Sequence, residues 1–109
     1  MDKDFYQNIF DLVKVIPSGR VTSYGQIAKY LGAARSSRMV GWAMNLSHSQ
    51  KEDIPAHRVV NRNGLLTGKM HFETPETMAA LLRAEGVVVN GDQIENFKLV
   101  FWDPFIELG

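Results

Sequence analysis

Ser23-Tyr24-Gly25-Gln26-Ile27-Ala28-Lys29-Tyr30-Leu31-Gly32-Ala33-Ala34-Arg35-Ser36-Ser37-Arg38-Met39-Val40-Gly41-Trp42-Ala43-Met44-Asn45-Leu46 is the stretch whose reading decides the fold. Ser23-x-x-Gln26 has the form of a capping box, in which a hydroxyl and a side-chain amide satisfy backbone N–H groups at a helix start. The helix it opens runs to Leu31 and stops at Gly32. Ala33, Ala34 and Arg35 make a short turn, and a second helix covers about 36–46. Two short helices joined by a tight glycine-containing turn read as a helix-turn-helix. Met39, Val40 and Met44 form the core side of the second helix. Arg35, Arg38 and Trp42 share another side at intervals of three and four, and Ser36, Ser37, Gly41 and Ala43 are small enough for close backbone approach.

Upstream, Phe5, Ile9, Leu12, Val13 and Ile16 recur at helical spacing, so a helix is expected over about 5–15, ended by Pro17-Ser18-Gly19. Val21-Thr22 is a short extended piece. Downstream, Asn61-Arg62-Asn63-Gly64 suits the turn of a hairpin wing. Thr74-Pro75-Glu76 supplies an N-cap, a proline at the first helical position and an early acid for a last helix that runs to about Glu85 and closes at Gly86. Val87-Val88-Val89 is expected as a short buried strand. The tail, with Phe97, Leu99, Val100, Phe101, Trp102 and Phe105, is aromatic enough to pack back on the core. The expectation is a mostly α, winged helix-turn-helix fold in a single domain over 1–109.

A chain of 109 residues suits one core and no second module. Met1-Asp2-Lys3-Asp4 is no secretory signal and no apolar run reaches membrane length, so a cytoplasmic location and no membrane partner are expected. There is no cysteine, which excludes disulfides and thiolate metal sites, and His48, His57 and His71 lack metal-ligand spacing, so no metal or cofactor is expected. The formal net charge is zero but unevenly laid out. Residues 14–71 carry nine bases against two acids, a balance of +7, whereas 1–13 carry −2 and 72–109 carry −5. A basic middle of this kind binds a phosphate backbone by counterion release if the fold gathers it on one face.

The segment Ile54-Pro55-Ala56-His57-Arg58-Val59-Val60 resembles the Ile-Pro-Cys-His-Arg-Val-Val segment of the O6-alkylguanine-DNA alkyltransferases, with alanine where the alkyl-accepting thiol belongs. Alkyl transfer requires a polarisable thiolate, and a methyl group attacks nothing. No alkyl transfer is therefore expected; the chain is similar to the alkyltransferase-like proteins. Ser37-Arg38-Met39-Val40-Gly41-Trp42-Ala43-Met44 likewise resembles the family's Ala-Arg-Ala-Val-Gly-Gly-Ala-Met helix, which enters the minor groove. Similarity extends over about 5–90, with Tyr24, Arg38, the signature and Glu85 in order.

The resemblance implies a non-enzymatic sensor that flips an O6-alkylguanine out of duplex DNA, holds it, and hands the complex to nucleotide excision repair, acting as a monomer. Arg38 becomes the finger that fills the space left by the flipped nucleotide, a role that suits a planar cation. Tyr24 becomes the residue at the adjacent phosphate and the base edge, with Arg35 and Gly41 also on the DNA side. The lesion pocket would comprise Tyr24, Ala56, His57, Val59 and Met70: carbonyls of Ala56 and Val59 accept from the guanine 2-amino group, and the backbone near Met70 approaches the alkylated oxygen. Such contacts use backbone atoms and survive loss of the thiol, and alkylated guanine pairs weakly and so costs less to extrude. His57 and Glu85 match the pair that activates the thiol; here they are expected, with Arg58, to form a structural polar network.

This chain departs from the pattern in places. The family's hinge asparagine near position 47 is replaced by Ser47, with Asn45 two residues away, and residues 65–73 do not follow the alkyltransferases closely, leaving Lys69 and Arg62 as candidate phosphate contacts. Alanine is smaller than the tryptophan often found at the cysteine position, leaving more room for bulky alkyl groups. An alkyltransferase with its cysteine deliberately replaced would show the same segment. Two other functions fit a winged helix-turn-helix of this composition: a sequence-specific regulator, which would need base-reading side chains, and a hydrolytic dealkylase or glycosylase using His57 and Glu85.

Overall fold

Apolar spacing at the start of the chain produces the first element as expected. The computed structural model describes residues 3–109, and α1 spans Lys3–Lys14. Phe5, Ile9, Leu12 and Val13 are buried along one side of it, Phe10 joins them, and Ile16 follows into the core beyond the helix end. Met1 and Asp2, counted in the acidic N-terminal segment, lie outside the described residues.

Both helices of the helix-turn-helix form: α2 is Tyr24–Tyr30 and α3 is Ser37–Leu46. Ser23 Oγ accepts the backbone N–H of Gln26 at 3.1 Å, half of the capping box. The other half is diverted, because Gln26 Nε2 donates instead to Asp103 Oδ1 at 2.9 Å, tying the helix start to the C-terminal segment. Gly32 turns the chain at φ +78°, a conformation glycine adopts without steric penalty. Val40, Ala43 and Met44 are buried on α3. Ala43 therefore belongs to the core rather than to the outer face, as its spacing of three from Val40 dictates.

The wing differs from the expected hairpin. Asn61 Oδ1 accepts the N–H groups of Asn63 and Leu65 at 2.9 and 2.8 Å, so the turn itself forms. Yet the strand before it, β2 (Val59–Val60), pairs in parallel with β1 (Thr22–Ser23), in the register Thr22 to Val59 and Ser23 to Val60. The antiparallel hairpin comes later, between β3 (Val89–Asn90) and β4 (Gln93–Ile94), and Leu65 bridges to Gln93 beside it. Of the expected strand at 87–89, Val87 and Val89 are buried while Val88 is 55 % exposed; only Val89 enters a strand.

The helix before that hairpin, α4, spans Thr77–Ala84 and starts later than Thr74 suggested. Thr74 Oγ1 lies 2.9 Å from Thr77 Oγ1, and Thr74 N–H donates to that same hydroxyl, so residues 74–76 form a turn ahead of the helix. At the C-terminus, α5 (Phe97–Val100) and α6 (Pro104–Glu107) flank Trp102, which is buried. Val21 N–H donates to Val100 O at 2.9 Å and Trp102 N–H to Val21 O at 2.7 Å; Arg20 adds bonds to the carbonyls of Val100 and Phe101. Leu99, Phe105 and Ile106 stay exposed, so only part of the aromatic tail packs back.

Two apolar clusters result. One lies among α1, α2 and α3 and takes in Ala56, Val59 and Trp102; the other lies under α4 with Val21, Val60, Leu66 and Ile94. The β1–β2 pair runs between them, and Phe72 touches both. Ile27, fully buried where α2 meets the first cluster, is a sensitive point. Ile27→Ala should lower unfolding free energy by roughly 2–5 kcal/mol, read as a drop in the urea midpoint at unchanged slope.

Candidate nucleic-acid interface

Parallel pairing of β1 with β2 is what brings the start of α2 against the signature segment. Residues Ala56–Arg58 form one 3₁₀ turn, followed directly by β2. Tyr24, one residue beyond β1, thereby shares a cavity with Ala56, and Gly41 of α3 lies on the same wall. His48, Gly68 and Phe72 complete much of the enclosure, with His71, Met44 and Met78. As it stands the cavity measures about 10 Å³, room for about one water molecule. Its walls are close: a methyl group placed on Gly68 would lie 2.8 Å from the Tyr24 hydroxyl, and the rings of His48 and Phe72 meet edge-on with centroids 4.6 Å apart.

The expected pocket residues divide. Tyr24 and Ala56 line the cavity; His57, Val59 and Met70 do not. Val59 is buried in β2, and Met70 is 68 % exposed in the 3₁₀ turn Lys69–His71, whose neighbours Gly68 and Phe72 face inward in its place. The Ala56 carbonyl accepts the N–H of Val59 within its turn, leaving one lone pair for another donor. Burial pushes the Tyr24 phenol up, with a hydrogen bond to Thr67 acting the other way, so the hydroxyl stays protonated and able to donate at neutral pH. Desolvation, then the nearby His71, pushes His48 down.

His57 turns instead to a carboxylate. Its Nε2 lies 2.7 Å from Glu85 Oε2, and Arg58 donates to the same carboxylate from Nε at 3.1 and 3.2 Å and from Nη2 at 2.7 Å. Gly19 N–H donates to Glu85 Oε1 at 3.0 Å, and Arg58 Nη1 reaches the Ile16 carbonyl at 2.8 Å. Burial alone would raise the Glu85 carboxyl, but hydrogen bonds from Arg58, Gly19 and His57 override it and hold it at about 2. The three residues expected in one network are joined in one.

On α3, Arg38 is exposed on the outer face, with Arg35 exposed in the turn before it and Gly41 on the flank that meets the cavity. No acidic partner lies against Arg35, Arg38 or Arg62 among the described residues. Three other bases of the positive middle are neutralised: Lys14 by Glu52 at 2.6 Å, Arg58 by Glu85 and Lys69 by Asp92 at 2.6 Å. Of the two candidate phosphate contacts, Arg62 is thus the one left free of an acid. Ser47, at the hinge position, is buried and donates from Oγ to the Met44 carbonyl. Among the described residues no group of three or more His, Cys, Asp or Glu is placed to hold a metal ion, and no helix is long and apolar enough to cross a membrane.

Residues 4–87 match the family model of the 6-O-methylguanine DNA methyltransferase DNA-binding domain. The chain belongs to this family, among its alkyltransferase-like members. It is 32 % identical over 105 residues to alkyltransferase-like protein 1 of Schizosaccharomyces pombe, covering 93 % of this chain and 96 % of that one. It is 41 % identical over 107 residues to a DNA base-flipping protein of Escherichia coli, covering 94 % of this chain and 79 % of that one. Among solved structures, S. pombe Atl1 in complex with damaged DNA containing O6-carboxymethylguanine superposes with a TM-score of 0.82 at 33 % identity, over 95 % of this chain and 99 % of that one.

This alkyltransferase-like chain has no cysteine to accept an alkyl group, and it is not an alkyltransferase. Gly68, His48 and Phe72 were not legible as cavity residues: they come from segments distant in sequence, and only Gly68, a lone glycine in a polar loop, carried a signal of close approach. The Glu85 network makes a pH prediction. A carboxyl whose folded value lies below its usual 4.5 contributes stability that is fully present above 4.5 and is lost as pH falls towards 2. Urea midpoints should therefore decline across that window, and Glu85→Gln should start lower at pH 7 and show a shallower decline; equal slopes for the two proteins would reject the assignment.

Proposed function

We propose that the chain acts as one DNA-binding domain and monomer that recognises O6-alkylguanine in duplex DNA by flipping it from the minor groove, and that it passes the complex to nucleotide excision repair. The observation that carries this reading is Ala56 on the wall of a cavity shared with Tyr24 and Gly41, one turn of α3 from an exposed Arg38. In this reading the cavity beside Ala56 is the lesion pocket without its thiol. Relatives supply the second support: one is named a base-flipping protein, and another was crystallised on damaged DNA.

In this reading Arg38 enters the gap left by the nucleotide and Tyr24 stands at the phosphate and base edge. Arg35 and Gly41 lie against the groove, and Arg62 meets phosphate. Ala56 and Val59 present carbonyls, and the backbone near Met70 approaches the alkylated oxygen. His57, Arg58 and Glu85 hold the signature turn in place. A cavity with room for about one water must widen to admit a base, by movement of the side chains and turns that line it. The chemistry of discrimination lies in that opening together with the weak pairing of the alkylated base.

Binding to matched duplexes carrying O6-methylguanine or guanine, at fixed salt, tests the reading. Preference for the methylated duplex, with protein and DNA masses unchanged afterwards, is the expected result; equal affinities would overturn it. Arg38→Ala should weaken lesion binding by about tenfold or more, and Tyr24→Phe by less, while thermal melts of both stay near wild type. Gly68→Ala, which pushes a methyl group against the Tyr24 hydroxyl, should lower lesion affinity more than affinity for undamaged duplex, measured in the same titrations. All of these affinities should fall as salt rises.

A further inference from the structure

Trp42 is 53 % exposed, and Leu46, one turn further along α3, is 50 % exposed. An exposed indole is uncommon on a small domain's surface, and this one stands where the resembling family helix has glycine. It takes part in no ring contact among the described residues. On the helix it falls about 40° round from Arg38, while Gly41 falls about 60° round the other way. Gly41 faces the cavity, so Arg38 stands between the cavity on one flank and Trp42 on the other.

We propose that Trp42 is a second wedge: its indole packs on a base and sugar of the strand opposite the flipped nucleotide, beside the gap that Arg38 fills. The proposal rests on the lesion-flipping reading for its geometry. Its occupant is fixed by charge. A partner covering Trp42 must also lie over Arg35 and Arg38, which have no acidic partner, and duplex DNA satisfies both by counterion release at the phosphates while offering base faces to the ring. Apolar side chains inserted beside base steps unstack and kink the duplex, and a kink at this point widens the minor groove for α3. Leu46 extends the same apolar edge along the groove wall.

Two tryptophans make the test direct, because Trp102 is 3 % exposed and serves as an internal reference. Titration of the protein with an unmodified or an O6-methylguanine duplex should quench wild-type indole emission, whereas Trp42→Phe, which leaves only Trp102, should show a flat signal. Trp42→Ala should bind either duplex about tenfold more weakly and bend it less, read by end-to-end energy transfer, while Trp42→Phe keeps most of the affinity. Unquenched wild-type emission together with unchanged affinity in Trp42→Ala would overturn the proposal. A Trp42→Ala protein whose sedimentation changes while its DNA affinity does not would also overturn it, assigning the patch to a protein interface. Because quenching is read on the unmodified duplex too, a wild-type protein without lesion preference would sink the lesion reading and leave the wedge separately decided.

Discussion

One carboxylate holds three parts of this molecule in register. Glu85, at the end of α4, accepts hydrogen bonds from the turn after α1 through Gly19 and from the signature segment through His57 and Arg58, and Arg58 passes the connection on to the Ile16 carbonyl. Half-buried charges of this kind are costly unless fully hydrogen-bonded, and here both oxygens are occupied. The chain has no cysteine, and the contacts His57 and Glu85 make are those that tie the signature segment to the end of α4. Position of the Ala56 turn depends on that scaffold, and the cavity depends on the turn.

The parallel contact between β1 and β2 is small, two residues on each side, yet it decides what faces what. It sets Tyr24 beside Ala56 and leaves the two apolar clusters meeting at the site. The cavity beside Ala56 has room for about one water, so in the proposed reading lesion affinity would be the binding energy of the open form reduced by the cost of opening. In that reading the cost of opening would disfavour ordinary bases, which pair well and must be extracted from a stable stack.

The helix-turn-helix was legible because its signals are local: a serine cap, a glycine stop and apolar spacing on each helix. The signature was legible as a residue string, and the joining of His57, Arg58 and Glu85 followed from it. The partner of β2 was not, since a parallel pair is set by tertiary packing and a turn sequence such as Asn61-Arg62-Asn63-Gly64 signals only its own geometry. The start of α4 slipped because Thr74 bonds to Thr77 rather than capping, a competition between side chains that a motif does not reveal. Ala43 was misplaced for a related reason: small residues fit a groove and a core equally well, and only the packing of α3 chooses.

The strand-like pairing of Val21 with residues 100–102 places a limit on where this domain can be divided. The family model stops at residue 87, but Trp102 is built into the first apolar cluster and Arg20 is bonded to two carbonyls of the same segment. A chain cut at the family boundary would lose the bonds made by Arg20 and Val21, just ahead of β1, and would remove Trp102 from the first apolar cluster. The unit that folds is thus longer than the span of the family model, and residues 100–103 belong to its architecture through Val21, Arg20, Gln26 and the first apolar cluster.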